Sequence, residues 1–203
     1  MPGKRHEARI FRYGLTIRPP YHVGGGASIR RCEGDSMAIL GLNHAVLYVR
    51  DAKRTSRFYE DVLGFVPVIE DAGGRYAFLR APASVNHHDI AFFSIGESAG
   101  ESAAGRSTVG MYHIAWAVPT IDELIAVREK LIAVGALGGE SDHGVNKSLY
   151  AKDPDGLEFE VTFVVPPQYW GAEEHEAIIR RLDLSAEQSR FEGVVSHVGS
   201  ARP

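Results

Sequence analysis

A single cysteine, no long apolar run and no excess of basic residues limit what this chain can be. Cys32 is the only cysteine in 203 residues, so no internal disulfide can form, which fits a reducing cytoplasm. No apolar run approaches the roughly 18 residues that a membrane-spanning helix needs, and the N-terminus lacks the apolar segment of a secretory signal. The formal net charge is -4, so the chain has no excess of basic residues that could bind the phosphates of nucleic acids or anionic membranes. We therefore expect a cytoplasmic protein that binds neither nucleic acid nor membranes.

The sequence patterns divide the chain into three parts. Residues 1–37 are rich in Arg and show no apolar periodicity, so we expect a flexible N-terminal arm. Residues 38–166 carry clear strand and helix patterns and form the predicted domain. In the last part, residues 167–203, the segment 172–184 would place its apolar residues on one side of a helix and mostly charges elsewhere, which predicts an amphipathic helix that packs on the domain or on a partner subunit. A mobile tail is expected to follow this helix from about residue 186.

The domain contains an internal repeat. Module one (40–95) is predicted as a strand, a helix and three strands, and module two (110–165) has the same order. Three pairs of equivalent positions are each 69 residues apart (113 minus 44, for example): His44 and His113, Val49 and Val118, Asp51 and Thr120. Two βαβββ modules with half-exposed sheets bury their apolar faces by pairing. The sequence therefore predicts an α+β fold in which the modules pair into a curved mixed sheet.

One acidic residue stands out in the last strand of module two. The segment Asp153-Pro154-Asp155-Gly156 predicts a tight turn between two strands, and Glu160 follows it between Phe159 and Val161. A carboxylate among apolar neighbours is costly to bury unless it is paired or bound to a metal. Glu160 is therefore a candidate metal ligand.

The repeat supplies partners for this carboxylate. His44 and His113 occupy equivalent positions in the first strands of the two modules, so they should face each other across a pseudo-twofold axis. The module-one equivalent of Glu160 is Ala91 (160 minus 69), so the repeat provides no fourth ligand. Two imidazoles and one carboxylate leave coordination positions open, which suits non-haem Fe(II) chemistry on O2. The predicted metal site is His44, His113 and Glu160.

These motifs resemble the vicinal oxygen chelate superfamily, which contains glyoxalases, bleomycin resistance proteins and type I extradiol dioxygenases. The resemblance covers about residues 40–166 and is carried by Asn43-His44-Ala-Val-Leu-Tyr-Val, Phe58-Tyr-Glu-Asp-Val-Leu-Gly-Phe, His113-Ile-Ala-Trp and Asp153-Pro-Asp-Gly-Leu-Glu-Phe-Glu. Within the superfamily, the sequence is most similar to extradiol ring-cleaving dioxygenases. It lacks the second, non-catalytic pair of modules that the larger of these enzymes carry.

The resemblance implies roles for three further residues. His88, in the adjacent pair His87-His88, matches a catalytic histidine that opens the last strand of module one. Tyr150, ten residues before Glu160, matches an active-site tyrosine, and His143 in the preceding loop matches a further active-site histidine. All three are expected to bind the substrate and to act in catalysis. A histidine can accept and return a proton, and a tyrosine can donate a hydrogen bond to a substrate oxygen.

The expected function is a dioxygenase that cleaves a catechol-like aromatic ring with O2, using Fe(II) or alternatively Mn(II). Two other functions stay open. One is a glyoxalase- or epimerase-type isomerase or lyase, whose relatives usually hold Ni, Co, Zn or Mn with four protein ligands, and Ala91 leaves the fourth missing. The other is a metal-free drug-binding resistance protein, whose relatives commonly lack the three ligands. The oligomeric state also stays open, because paired modules can form within one chain or across a homodimer.

Overall fold

The computed structural model describes residues 41–105 and 107–198, which contain two copies of one βαβββ module. The first module consists of β1 (Ala45–Val49), α1 (Ala52–Leu63), β2 (Val66–Glu70), β3 (Tyr76–Arg80) and β4 (Ile90–Ser94). The second consists of β5 (Ile114–Ala117), α2 (Ile121–Ala133), β6 (Leu137–Asp142), β7 (Asn146–Lys152) and β8 (Glu158–Val164). The predicted α+β class and the repeat are confirmed. The predicted N-terminal arm, residues 1–37, lies outside the described residues.

Local sequence signals begin and end the helices. The Asp51 side chain accepts hydrogen bonds from two backbone amides at the start of α1, and the Thr120 side chain accepts one at the start of α2. Gly64, with a φ of 74°, ends α1 in the left-handed region that favours glycine. None of the helices in the described part of the chain is both long enough and apolar enough to cross a membrane.

Each module forms its own four-stranded mixed sheet. The strand orders are β1-β4-β3-β2 and β5-β8-β7-β6, with the first two strands of each order parallel and the remaining neighbours antiparallel. The register preserves the repeat, since Val46 pairs with Ala91 and Ala115 pairs with Glu160. The two sheets share no ladder of hydrogen bonds in the described residues. The modules therefore meet through side chains and not through a continuous sheet.

The two modules share a core on the side of the helices. The ring of Phe159 in β8 lies 6.0 Å from Phe58 and 5.8 Å from Tyr59, both on α1. Phe65, just after α1, lies 5.0 Å from Trp116 of β5. Aromatic pairs at such distances stabilise a core beyond their buried area. We call the side of each sheet that packs on α1 or α2 the helix-covered face, and the opposite side the open face.

The C-terminal segment differs from the sequence prediction. The expected helix over 172–184 is wrong: two short 3-10 turns occupy Pro167–Tyr169 and Gly171–His175, and the only α-helix after β8 in the described chain is α3 (Leu184–Arg190). The physical reason is a tertiary contact. The backbone amide and carbonyl of Arg180 pair with those of Asp142, at 3.0 and 2.9 Å, so they are unavailable to a helix.

The expected mobile tail from residue 186 is also wrong as far as residue 198. Phe191 is only 1% exposed, because its ring packs on Phe163 of β8 and on Tyr169. Ser196 is also held in place, since its hydroxyl oxygen accepts a hydrogen bond from the Val164 amide at 3.2 Å. A single buried aromatic side chain thus anchors a segment whose overall composition is polar.

The turn between β7 and β8 carries a buried carboxyl group. Asp153 Oδ1 accepts hydrogen bonds from the backbone amides of Asp155 and Leu157, at 2.8 and 2.9 Å. Its Oδ2 is buried without a hydrogen-bond partner. Burial raises the pKa of Asp153 to about 6. The charged form is therefore disfavoured in the folded protein.

Replacing Asp153 with Asn should change how stability depends on pH. The unfolded pKa of Asp is about 3.9, so native Asp153 binds more protons than the unfolded chain between about pH 4 and 6. Stability of the wild type relative to Asp153→Asn should therefore fall as pH rises through that window, by up to about 3 kcal/mol. Urea unfolding of both proteins from pH 3.5 to 7 measures this difference, and a difference independent of pH would contradict the prediction.

Candidate metal centre

Neighbouring strands place His113 and Glu160 side by side. Ala115 of β5 pairs with Glu160 of β8, and His113 lies two residues before Ala115, on the same face. His113 Nε2 is 3.0 Å from Glu160 Oε2, and Glu160 is only 6% exposed. An imidazole nitrogen and a carboxylate oxygen thus converge on one point. This donor pair fits the N/O ligands that divalent transition metals accept.

Polar side chains of β7 orient this carboxylate. Glu160 Oε1 accepts hydrogen bonds from Ser148 Oγ at 2.5 Å and from Asn146 Nδ2 at 3.4 Å. These two donors hold one oxygen and leave Oε2 toward His113. Sequence reasoning missed Ser148 and Asn146. The signal was present as polar residues at alternate positions 146, 148 and 150, which share one face of a strand.

The second nitrogen of His113 faces another carboxylate. Nδ1 lies 3.8 Å from Glu158 Oε1, and both atoms are buried without a hydrogen bond. A carboxylate behind a ligating histidine commonly fixes its tautomer and raises its basicity. Glu158, which the sequence analysis did not single out, is thus placed to support His113 with a small adjustment of either side chain.

His44 lies on the first sheet, away from this pair. Its ring centroid is 4.6 Å from that of His88, and its Nδ1 is 2.8 Å from Asn43 Oδ1. Among residues 41–105 and 107–198, no three His, Cys, Asp or Glu side chains gather where one metal ion could bind. The chain as described brings His113 and Glu160 together and keeps His44 with the other module. The three-ligand site stays a prediction.

Tyr150 and His143 form a hydrogen-bonded pair beside Glu160. Tyr150 pairs with Glu160 across β7 and β8, its ring is 5.7 Å from that of His113, and its hydroxyl oxygen is 2.9 Å from His143 Nε2. His143 Nδ1 is 2.8 Å from the backbone oxygen of Ile178. A carbonyl can only accept, so Nδ1 carries a proton, and neutral His143 accepts the Tyr150 hydroxyl proton at Nε2. Burial, and then the charge of Glu160, raise the pKa of Tyr150, which keeps it protonated.

The loop that carries His143 is held by buried charges. Lys147 is fully buried and donates to Asp142 Oδ1, while Arg180 Nε donates to Asp142 Oδ2 at 2.7 Å. Burial alone would raise the pKa of Asp142, but the hydrogen bonds from Lys147 and Arg180 outweigh it and lower that pKa. The ion pair between Arg180 and Asp142 and the Ile178 carbonyl tie the C-terminal segment to this loop. Sequence reasoning missed Lys147 and Ile178.

His88 lies on the open face of the first sheet among aromatic side chains. Its ring is 5.0 Å from Phe78, and Phe93 lies 5.9 Å from both Phe78 and Tyr76. Burial, and then the neighbouring His44 and His87, lower the pKa of His88, so it is neutral at pH 7. The structure therefore places His88 next to His44, and places Tyr150 and His143 next to His113.

Comparison with known proteins identifies the family. The model of the Glyoxalase/Bleomycin resistance protein/Dioxygenase superfamily matches residues 41–161. The chain belongs to this superfamily. The resemblance carried by the motifs is thus confirmed. Because the superfamily region ends at residue 161, the segment that holds His143 through Ile178 lies beyond it.

Three curated proteins are similar to this chain. The catechol-2,3-dioxygenase of Bacillus subtilis (strain 168) is 27% identical over 129 residues, 64% of this chain and 43% of that protein. The biphenyl-2,3-diol 1,2-dioxygenase 3 of Rhodococcus globerulus is 33% identical over 119 residues, 57% of this chain and 58% of that protein. The chain thus spans about half the length of these two relatives. The metallothiol transferase FosB of Lysinibacillus sphaericus (strain C3-41) is 25% identical over 134 residues, 61% of this chain and 82% of that protein.

A solved structure supports the fold. The glyoxylase/bleomycin resistance protein/dioxygenase domain from Frankia sp. EAN1pec superposes with a TM-score of 0.54 at 20% identity, and the match covers 64% of this chain and 96% of that domain. At this identity the likeness concerns the arrangement of the βαβββ modules alone. The family match and the superposition thus agree on the arrangement of the modules.

The tautomer of His143 can be tested directly. We expect the neutral imidazole of folded His143 to carry its proton on Nδ1, because the Ile178 carbonyl requires a donor there. Nitrogen-15 chemical shifts of selectively labelled protein should show this tautomer. Exposed His175 provides the reference spectrum of a histidine at the surface. A proton on Nε2 of His143 would contradict the assignment.

Proposed function

We propose that this chain is a metal-dependent extradiol dioxygenase that cleaves a catechol-like aromatic ring with O2. The observation that carries the proposal is the open face around Glu160. There, His113 Nε2 lies 3.0 Å from Glu160 Oε2. Beside this pair, the Tyr150 hydroxyl oxygen is hydrogen-bonded to His143 Nε2 at 2.9 Å. The similarity to proteins named catechol-2,3-dioxygenase and biphenyl-2,3-diol 1,2-dioxygenase 3 supports it.

His44, His113 and Glu160 would hold the metal, with Fe(II) preferred and Mn(II) as the alternative. Two neutral imidazoles and one carboxylate suit a divalent ion that must keep positions open. A metal held by these residues would supply a Lewis acid with open positions for a vicinal diol and for O2. The buried hydrogen bond from Ser148 to Glu160 keeps that carboxylate in place.

Tyr150 and His143 would accept a proton from the substrate. A diol hydroxyl that approaches Tyr150 can give its proton to the tyrosine oxygen while Tyr150 passes its own proton to His143 Nε2. His143 then carries a proton on both nitrogens, and its Nδ1–H still donates to the Ile178 carbonyl. This order differs from the expected role of Tyr150 as a simple donor, because its hydroxyl proton is already engaged by His143.

The first sheet would supply a second base and an aromatic wall. His88 is neutral and lies beside His44, so it can take a proton from the substrate and return it when the ring opens. The rings of Phe78, Phe93 and Tyr76 form a half-buried row next to it. Aromatic side chains of this kind bind a planar ring by edge and offset contacts. Such a wall favours an aromatic substrate.

A different metal-dependent reaction is the second candidate. Similarity to the metallothiol transferase FosB favours a transferase, isomerase or lyase activity. Ala91 stands against the four-ligand type of site, since it pairs with Val46 where module two has Glu160 paired with Ala115. A metal-free drug-binding protein fits less well, because a buried carboxylate held by Ser148 and facing His113 would serve no purpose there.

Oxygen consumption tests the proposal. Protein purified without oxygen and loaded with Fe(II) should consume O2 with catechol, 3-methylcatechol or 2,3-dihydroxybiphenyl and form a yellow ring-fission product. His44→Ala and Glu160→Ala should each lose activity by more than about 100-fold, because each removes a ligand. His175→Ala, at an exposed position, should keep full activity. Absence of O2 uptake across these diols, together with thiol transfer by the Mn(II)-loaded protein, would favour the second candidate.

Tyr150→Phe should separate proton transfer from metal binding. It removes the hydroxyl that links the substrate to His143 and leaves the rings in place, so kcat should fall by about 100-fold or more. The metal content should equal that of the wild type. The matched change Tyr169→Phe, outside the site, should leave both quantities unchanged. Loss of metal in Tyr150→Phe would show that Tyr150 acts through the fold of the site instead.

A further inference from the structure

Each of the two proposed histidine ligands has a carboxylate at an equivalent position of the repeat. Asp89, just before β4, and Glu158, at the start of β8, are 69 residues apart, as His44 and His113 are. In module two, Glu158 Oε1 faces His113 Nδ1 directly, at 3.8 Å. In module one the corresponding link is longer and runs through two amide side chains.

The first amide, that of Asn86, is oriented by two acceptors. Its Nδ2 lies 2.8 Å from Asp89 Oδ1 and 3.0 Å from the backbone oxygen of Asn43. A carboxylate and a backbone carbonyl accept hydrogen bonds, so the amide nitrogen of Asn86 must face both of them. The carboxylate is itself held by the Ala81 amide and the Ser84 hydroxyl, at 2.8 and 2.7 Å. The oxygen of the Asn86 amide is therefore left to face Asn43.

The second amide, that of Asn43, passes this orientation to His44. Asn43 Nδ2 donates to Asn86 Oδ1 at 3.3 Å, which leaves Asn43 Oδ1 beside His44 Nδ1, at 2.8 Å. An amide oxygen accepts and does not donate, so Nδ1 of His44 must carry a proton. In the neutral ring the free lone pair is then on Nε2. A ligating histidine binds its metal through such a lone pair while its other ring nitrogen donates to a neighbouring group.

We infer that Asp89, Asn86 and Asn43 are positioning residues that fix the tautomer of His44 and leave its Nε2 free for a metal ion. The Asn43 amide alone could present its oxygen or its nitrogen to the ring, and the bond to Asn86 selects the oxygen. Asn86 also belongs to the loop that carries His88, so the same bonds hold the two rings together at 4.6 Å. The metal-binding role of His44 rests on the proposed function, whereas its tautomer does not.

Nitrogen-15 spectra of the full chain without metal, with labelled histidine, test the tautomer. The signals of His44 are those that disappear in His44→Gln. In the wild type, the neutral ring should show a protonated Nδ1 and an unprotonated Nε2. In Asn86→Ala the Asn43 amide can turn over, so the proton should be shared between both nitrogens, although the change is two hydrogen bonds away from the ring. A wild type with the proton on Nε2, or shared, would overturn the inference.

A second change should restore the tautomer. A carboxylate at position 43 presents an acceptor to His44 Nδ1 in either orientation, so it does not need Asn86. The double variant Asn43→Asp/Asn86→Ala should therefore return the proton to Nδ1. The control Val85→Ala, at the fully exposed position next to Asn86, should give the wild-type spectrum. A double variant that keeps the shared proton would show that Asn86 acts only by shaping its loop, which would also overturn the inference.

Metal titration shows whether the tautomer matters for binding. The dissociation constant for Mn(II) should rise by about tenfold or more in Asn86→Ala and return toward the wild-type value in the double variant. An unchanged dissociation constant in Asn86→Ala, with its proton shared, would overturn the positioning role. A wild type that binds no Mn(II) or Fe(II) but shows the expected tautomer would instead refute the proposed metal site and leave the tautomer assignment standing.

Discussion

The structure depends on the burial of one carboxylate. Glu160 is nearly inaccessible, and a charge in that position is tolerated only with strong polar partners. Ser148 and Asn146 satisfy one oxygen, and His113 lies against the other. This requirement explains why Asn146, Ser148 and Tyr150 form one polar face of β7 although it is a central strand. It also fixes the position of Tyr150, which must pair directly with Glu160.

A second set of buried charges extends this arrangement beyond the superfamily region. Asp142 binds Lys147 and Arg180, and the backbone of Arg180 continues the edge of the second sheet. An isolated buried Lys would be costly, so the pairing determines the path of the loop between β6 and β7. That path brings His143 to Tyr150. The C-terminal segment therefore contributes to the chemistry of the site as well as to the stability of the domain.

Much of the fold could be predicted because it is encoded locally. The repeat distance predicted that Ala91 and Glu160 take equivalent places, and Asp51 and Thr120, which the repeat paired, begin the two helices. The C-terminal segment could not be predicted in this way, since its helical periodicity competes with the pairing of Arg180 and Asp142, which is visible only in three dimensions. The location of His44 relative to His113 could not be predicted either. Symmetry relates it to His113 but does not say which faces of the modules meet.

The contact between His143 and Ile178 has a consequence for how this site can change. The group that holds the imidazole is a main-chain carbonyl, so almost any residue at position 178 can provide it. Position 178 therefore acts through the path of the main chain and not through its side chain. Substitutions at position 178 would therefore be tolerated, whereas a shortening of the segment would remove the contact. A search for functional side chains would overlook position 178.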